Sequence, residues 1–308
     1  TTLFRSYQGQ FANGQYAGEG TLTALDGSRT QGTWRDGELI RQANGAAQPD
    51  PLELGLLQQG QLLQQALDAL PASTPAVELY SLTLAGDGQQ SVFLREADYV
   101  SRLLRERFGA RGNITLINHR EQFARRPLAS RESLRQAIQT LAERSGSEDL
   151  IFLYLTSHGS HDHELSIDQP RLQLADLPAG ELAALLQPLR DRYKVVVISA
   201  CYSGGFIPPL KDDKTLVMTA ARADRVSFGC SEENDFTYFG RALFEQALQA
   251  LVRFQRMPGA EALPPYDDAL LRRELHVRVW YVPLIAVHGC GRTVRLVHVR
   301  DAGHPHSS

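Results

Sequence analysis

Two residue pairs with the makings of a base and a nucleophile, His158-Gly159 and Ala200-Cys201, each close a strongly apolar run, and the cysteine follows the histidine by 43 residues. The runs are DLIFLYLTSHGS (149–160) and YKVVVISACYSGG (193–205). An imidazole can take the proton of a thiol, and the thiolate so formed attacks carbonyl carbon readily. A lone histidine is most often a satisfied core residue, and a lone cysteine a small buried apolar side chain. The case for chemistry therefore rests on their equivalent placement. Both runs are short, aliphatic or β-branched, and closed by Gly and Ser, as expected of buried parallel strands opening into loops. In an open α/β sheet, ligands bind where loops leave the carboxyl ends of the strands. A His and a Cys at two such ends can meet although they are far apart in sequence.

The flanking sequence supplies such a sheet. A helical period over 52–70 is broken by PASTP, and a regular alternation follows. Strands are expected at 77–86, 114–119 and 215–221, beside the two that precede His158 and Cys201. Helices are expected at 91–109, 130–146, 180–192 and 236–252, the first closed by Gly109 and the second by Gly146. Strands alternating with helices imply a three-layer α/β sandwich around a mostly parallel sheet.

Ahead of this module, Gly9, Phe11 and Gly14 recur 23 residues later as Gly32, Trp34 and Gly37. A period this short marks a small supersecondary unit, and glycines with aromatics and the Asp26-Gly27 dipeptide indicate β-hairpins. Tyr7, Gly9, Phe11, Gly14, Gly18 and Gly20 resemble the MORN repeat. That resemblance implies either an array that engages a protein or envelope partner, or a β appendage capping the next domain. Residues 41–51, RQANGAAQPDP, read as a linker. The expected organisation is repeats over 1–41, linker and helix over 42–76, the α/β domain over 77–252, and a C-terminal segment over 253–308. In that last segment HVRVWYVPLIAVHGCGRTVRLVHVR reads as one or two strands.

The α/β part resembles the legumain (asparaginyl endopeptidase) family of caspase-like cysteine peptidases, bacterial type, over roughly residues 77–250. The resemblance is carried by TSHGS with His158, SACYSGG with Cys201, VSFGCSEENDFTYFGRAL (226–243) and LREAD with Arg95. It implies a caspase-like fold and hydrolysis of peptide bonds through a Cys201–His158 dyad and a thioester. The backbone N–H groups of Gly159 and Cys201 would stabilise the oxyanion, and Arg95 would line the specificity pocket, with cleavage after Asn and then Asp. The family's glutamate two residues before the cysteine is here Ser199, and its dyad-assisting asparagine corresponds to Phe93. Glu232 or Glu233 can stand in for the pocket carboxylate. Within the same family, a transamidase would resolve the thioester with an amine. From a different class comes a non-catalytic scaffold that only binds. In the caspase-like sheet a sixth strand would follow the last helix.

Other readings are disfavoured. His158, His161 and His163 form H-x-x-H-D-H, which breaks the HxHxDH spacing of metallo-hydrolases, and a zinc site would leave Cys201 unexplained. No metal or organic cofactor is expected. A net charge of −3 gives no nucleic-acid footprint, and no apolar stretch approaches the roughly 18–20 residues that span a bilayer. The partner expected is a peptide or protein substrate. Of three cysteines, Cys230 and Cys290 can pair in an oxidising compartment or both stay free. A chain starting at Thr1 is what a cleaved export signal leaves, as does any other cut upstream. The expectation leans to a bacterial periplasm, with the cytoplasm as the alternative.

Overall fold

The computed structural model describes residues 6–231 and 234–248, with the backbone of 287–289 and 292–294. It separates into two compact units, Thr1–Gln58 and Gln59–Ser308.

The first unit is an antiparallel meander of β1 (Ser6–Ala12), β2 (Gln15–Thr23), β3 (Arg29–Arg35) and β4 (Glu38–Gln42), in that order. Its recurring glycines do two different jobs. Asn13-Gly14 and Asp36-Gly37 both have positive φ (51° and 76°, 52° and 83°), which is what a two-residue hairpin turn of matching twist requires. Gly9, Gly20 and Gly32 stand opposite one another across three strands. A side chain on Gly20 would overlap the Tyr7 ring. Into that row Tyr7 lies stacked on Tyr16 at 4.0 Å, with Trp34 edge-on to Tyr7 at 5.5 Å and its indole N–H donating to the Gly20 carbonyl at 3.0 Å. The 23-residue repetition is thus turn glycine plus a glycine seat for aromatic rings.

Next in chain order comes α1 (Pro51–Asp68), inside which the two units meet in sequence. The second unit continues with β5 (Leu79–Ala85), α2 (Ser91–Arg107), β6 (Gly112–Ile117), α3 (Arg131–Arg144) and β7 (Leu150–Thr156). Then follow β8 (Glu164–Leu165), β9 (Leu177–Pro178), α4 (Ala179–Leu185), β10 (Tyr193–Ser199), α5 (Ile207–Leu210) and β11 (Thr215–Thr219). The short α6 (Tyr238–Gly240) runs on as a π-helix over Arg241–Ala247. A last pair, β12 (Val287–Gly289) and β13 (Arg292–Val294), forms its own antiparallel sheet, so among the described residues the large sheet has five strands.

That sheet is parallel throughout, ordered β11-β10-β7-β5-β6. Its strands are near-continuous apolar runs because both faces are covered. Leu153 and Leu155 of β7, with Val196 and Ile198 of β10, join Leu134, Leu141, Leu182 and Leu189 on one face. Phe152, Tyr154, Val195 and Val197 meet Val100, Leu104, Phe239 and Phe244 on the other. Each fully buried side chain of this size contributes about 1.5–3 kcal/mol, and a charge at Leu153 or Val197 would forfeit that and add the larger cost of an unpaired buried ion. The Ser130 hydroxyl accepts the Ser133 N–H at 3.1 Å at the start of α3, and Gly109, at φ 67°, follows α2 as expected, while α3 is closed by Ser145, one residue before Gly146. The helix expected over 180–192 stops at Leu185. Pro188, which has no N–H to donate, sits in a separate 3-10 turn over Gln187–Leu189.

Strand order places the site. From β5 the chain moves outward to β6, then returns to β7 on the other side of β5 and continues outward to β10 and β11. The connections leaving β5 and β7 therefore diverge. The crevice at their carboxyl ends is where such folds bind ligands.

Candidate functional site

At that end of the sheet the side chains turn polar while staying buried: Asp87, Glu96, Thr156, Ser157, Ser199, Ser203 and Thr237 are all under a tenth exposed. Three strand ends meet through backbone hydrogen bonds, from Gly86 N–H to Thr156 at 2.9 Å and from Ser157 N–H to Ser199 at 3.2 Å. His158 and Cys201 lie just beyond.

Cys201 sits on a sharp bend between β10 and a 3-10 turn, Ser203–Phe206. Tyr202 takes the left-handed conformation (φ 54°), a strained position for a non-glycine residue that only fixed surroundings sustain. Those surroundings are specific. The Tyr202 N–H donates to Arg225 at 2.7 Å, and its carbonyl lies 3.2 Å from Nδ1 of His163. The Cys201 thiol accepts the Ser227 N–H at 3.3 Å and faces the Ser227 carbonyl at 3.8 Å.

Gly159 brings the histidine loop onto the cysteine. A Cβ at this position would overlap the Cys201 carbonyl oxygen and press on the Ala200 side chain. Gly159 also forms a bridge with Leu165, in which the hydrogen bonds are made by its neighbours: Ser166 N–H to His158 at 2.9 Å and Ser160 N–H to Glu164 at 3.0 Å. Alternate residues of an extended chain point their N–H groups to opposite sides. The Gly159 N–H therefore points away from that hairpin.

His158 is 42% exposed at its side chain, with Nε2 at 4.0 Å from Oδ2 of Asp87. The Phe93 ring meets the imidazole edge-to-face at 5.0 Å. The position where the family resemblance implied an asparagine is thus filled by a ring that packs on His158. The three clustered histidines part company. His161 lies against the Tyr202 ring and His163 against Gly205, whereas His158 faces Phe93 and Asp87. Among the described residues no group of three or more His, Cys, Asp or Glu side chains is placed to hold a metal ion.

Beneath the cysteine lies a buried network that the sequence did not announce. The Glu96 carboxylate, on α2, accepts the Thr237 N–H at 2.6 Å, the Thr237 hydroxyl at 3.2 Å, the Thr156 hydroxyl at 3.3 Å and the Tyr154 hydroxyl. Ser199 is buried there, its hydroxyl 3.1 Å from that of Thr237. Burial pushes the Glu96 carboxyl up to about 7, against the hydrogen bonds of Thr237, Thr156 and Ser199, which pull it down. This carboxylate ties the 227–240 segment, whose Ser227 touches the thiol, to the sheet. Arg95 reaches the same segment, donating to the Asn234 carbonyl at 2.6 Å and pairing with Asp235 at 3.5 Å. Glu232, Glu233 and Cys290 lie outside the described residues, and with Cys290 the disulfide expected as one option for Cys230. Cys230 itself is a free thiol. Asp87, Glu96, Ser227 and Thr237 went unnoticed in the sequence. A DG turn at the end of β5 was the one signal for Asp87.

Residues 135–257 match the family model described as the Peptidase C13 family, which supports a cysteine-type peptidase. The chain is similar to caspase-1 from Spodoptera frugiperda at 16% identity and a TM-score of 0.40, over 62% of this chain and 77% of that one. Over 41 residues it is 56% identical to an N-acetylmuramate/N-acetylglucosamine kinase of Pseudomonas putida and 54% identical to one of Pseudomonas aeruginosa. Each of those matches covers 13% of this chain and 12% of the kinase, so the chain spans about an eighth of the length of these curated relatives. A stretch that short is below the usual domain size of roughly 50 residues or more and carries no kinase assignment. No helix among the described residues is long and apolar enough to cross a membrane.

Proposed function

We propose that the chain is a legumain-type cysteine endopeptidase in which Cys201 is the nucleophile and His158 its base. The observation that carries this reading is Gly159 packed on the Cys201 carbonyl, which holds the residue after the histidine against the cysteine at adjacent strand ends. His158 takes the thiol proton as Sγ attacks the peptide carbonyl carbon. The tetrahedral oxyanion is met by the N–H groups of Gly159 and Cys201, worth about 10²–10³ in rate for each such donor. Collapse breaks the C–N bond, the amine leaves with the proton held by His158, and a thioester remains. Water, deprotonated by His158, then releases the acid and restores the thiol. No metal or organic cofactor enters these steps.

For specificity, Arg95, which reaches from α2 to the segment next to the thiol, is the proposed reader of the residue before the scissile bond, with Ser199 and Glu232 or Glu233 completing the pocket. A guanidinium donates to a carbonyl or carboxylate oxygen and repels Lys and Arg, so cleavage is expected after Asn and then after Asp. The N-terminal sheet is proposed as a MORN-type unit that engages a protein or envelope partner through its aromatic face, where Phe11 is 58% exposed. The test is a peptide library digested by the parent and by Cys201→Ala. Products ending in Asn or Asp, lost in the variant, support the reading. Undiminished turnover by the variant, or efficient cleavage after Lys or Arg, overturns the nucleophile or the pocket respectively.

A further inference from the structure

Asp87 stands at the crevice where the connections from β5 and β7 diverge, and it is 5% exposed. Its Oδ1 is committed: it accepts the N–H groups of Gln89 at 2.9 Å and Gln90 at 2.7 Å, closing the turn that starts α2. With one oxygen fixed by two donors, the carboxylate cannot rotate, and the other oxygen, Oδ2, is left facing Nε2 of His158 at 4.0 Å. That separation is within ion-pair range and outside hydrogen-bond range. Unliganded sites commonly show such contacts loose, to tighten when charge develops. On another side of the ring, the edge-to-face Phe93 limits how the imidazole can turn.

An imidazole has two nitrogens and, when neutral, one proton between them. A carboxylate accepts only, so the nitrogen facing it is the one that carries the proton. We propose that Asp87 is a positioning residue for His158: it holds the ring with Nε2 protonated, so that Nδ1 offers its lone pair to the Cys201 thiol. The assignment rests on the peptidase reading of His158 and Cys201. It fills the role that the family resemblance gives to an asparagine two residues before Arg95, a place taken here by Phe93. A second carboxylate, Asp168, is joined to Asp87 by a parallel bridge and is the rival for the role.

Asp87→Asn is the informative variant. It keeps an oxygen for Gln89 and Gln90, so α2 retains its start, and it turns an amide N–H₂ toward Nε2. A donor facing Nε2 favours the other tautomer, with the proton on Nδ1 where the thiol needs a base. Turnover (kcat) on the best library peptide should fall by about 10²–10⁴, with KM within about threefold and an unchanged far-UV spectrum. Asp87→Glu should recover part of the loss, and Asp168→Asn should stay within about fivefold of the parent. Nitrogen-15 NMR of His158 at a pH where the ring is neutral reads the same point without substrate: Nε2–H in the parent, Nδ1–H in Asp87→Asn. An unchanged tautomer in Asp87→Asn, or the larger kinetic loss falling on Asp168→Asn, overturns the role of Asp87. Cys201→Ala with parental turnover would instead overturn Cys201 as the nucleophile, and the NMR arm would still decide the tautomer.

Discussion

The two walls of the proposed site, one carrying Cys201 and the other His158, are held in opposite ways. On the cysteine side, backbone contacts hold the thiol, with a left-handed Tyr202 pinned by Arg225 and the thiol against the Ser227 amide, over a buried network in which Glu96 gathers Thr237, Thr156 and Tyr154. On the histidine side, a ring that is 42% exposed is steadied by one aromatic edge and one carboxylate 4.0 Å away. The difference fits the two tasks proposed for these residues. A nucleophile must be placed once and kept there, because a misplacement of about 1 Å can cost 10²-fold in rate. A base that takes a proton from sulfur and gives it to an amine has to follow the proton. Backbone changes should therefore break the cysteine wall, and side-chain changes should tune the histidine wall.

The largest effect is expected where the walls touch. Gly159→Ala puts a methyl group into the Cys201 carbonyl, and neither backbone can yield without moving the bend that exposes the thiol. The kcat/KM of this variant should fall by about 10²-fold or more, with the parallel-sheet core, which Gly159 does not join, still folded by circular dichroism. Near-parental turnover would show that the two loops are not rigidly seated on each other, and the comparison of walls would lose its basis.

Next in size is Glu96→Gln, which probes the buried half of the cysteine wall. Its folded carboxyl sits at about 7, above the ordinary 4.5, chiefly through burial. The folded state therefore holds the proton more tightly than the unfolded chain. The stability gained this way is fully present below about 4.5 and lost as pH rises through about 7. Melting temperature in the parent should decline over that window, and Glu96→Gln should lack this component. At the acid end, where the parent carboxyl is itself protonated, the glutamine should cost no more than about 1 kcal/mol, because its oxygen can keep the Thr237 N–H while its N–H₂ faces hydroxyl oxygens of Tyr154, Thr156 and Thr237 that can accept. Equal pH slopes in thermal melts of the two proteins would show that Glu96 stays ionised in the fold.

The histidine and cysteine ends were legible in the sequence because fully buried strands leave an unbroken apolar signature, as in LIFLYL and KVVVIS, and a parallel sheet fixes where its chemistry goes. What was illegible lies in polar residues whose surroundings come from elsewhere in the chain. Glu96 sits in an amphipathic helix beside the half-buried charges Arg95 and Asp98, and nothing local distinguishes it from them. It is buried because that helix lies over the polar end of the sheet. Asp87 reads as an ordinary turn residue, and half of its carboxylate is one. Its other oxygen acquires a meaning only when strand order sets β5 beside β7. The 23-residue glycine repetition was visible as a period, and its split into turn and seat positions needed the register of three strands. The clustered histidines, already disfavoured as a metal site by their spacing, have separate partners in the fold: His161 meets the Tyr202 ring and His163 the Tyr202 carbonyl.

The smallest expected effect concerns the other described thiol and sharpens the contrast. Cys230 packs beside the cluster of Ala85, Val92, Phe93, Ala97 and Ile117, behind the ring that backs His158. Burial first, and then the negative charges of Cys201, Glu96 and Asp87, push its thiol up to about 11. At pH 7.5 it is therefore almost wholly protonated, and a thiol reacts with alkylating agents only as thiolate. Iodoacetamide at that pH should label Cys201 with loss of turnover and leave Cys230 unmodified, as read by peptide mass mapping. Cys230→Ala removes one small sulfur from a partly buried seat. It should cost on the order of 1 kcal/mol of stability and leave kcat within about threefold, because the Phe93 edge can still rest on the remaining aliphatic side chains. Preferential labelling of Cys230, or a loss of turnover in Cys230→Ala comparable with that of Gly159→Ala, would mean that the histidine wall is as tightly determined as its partner.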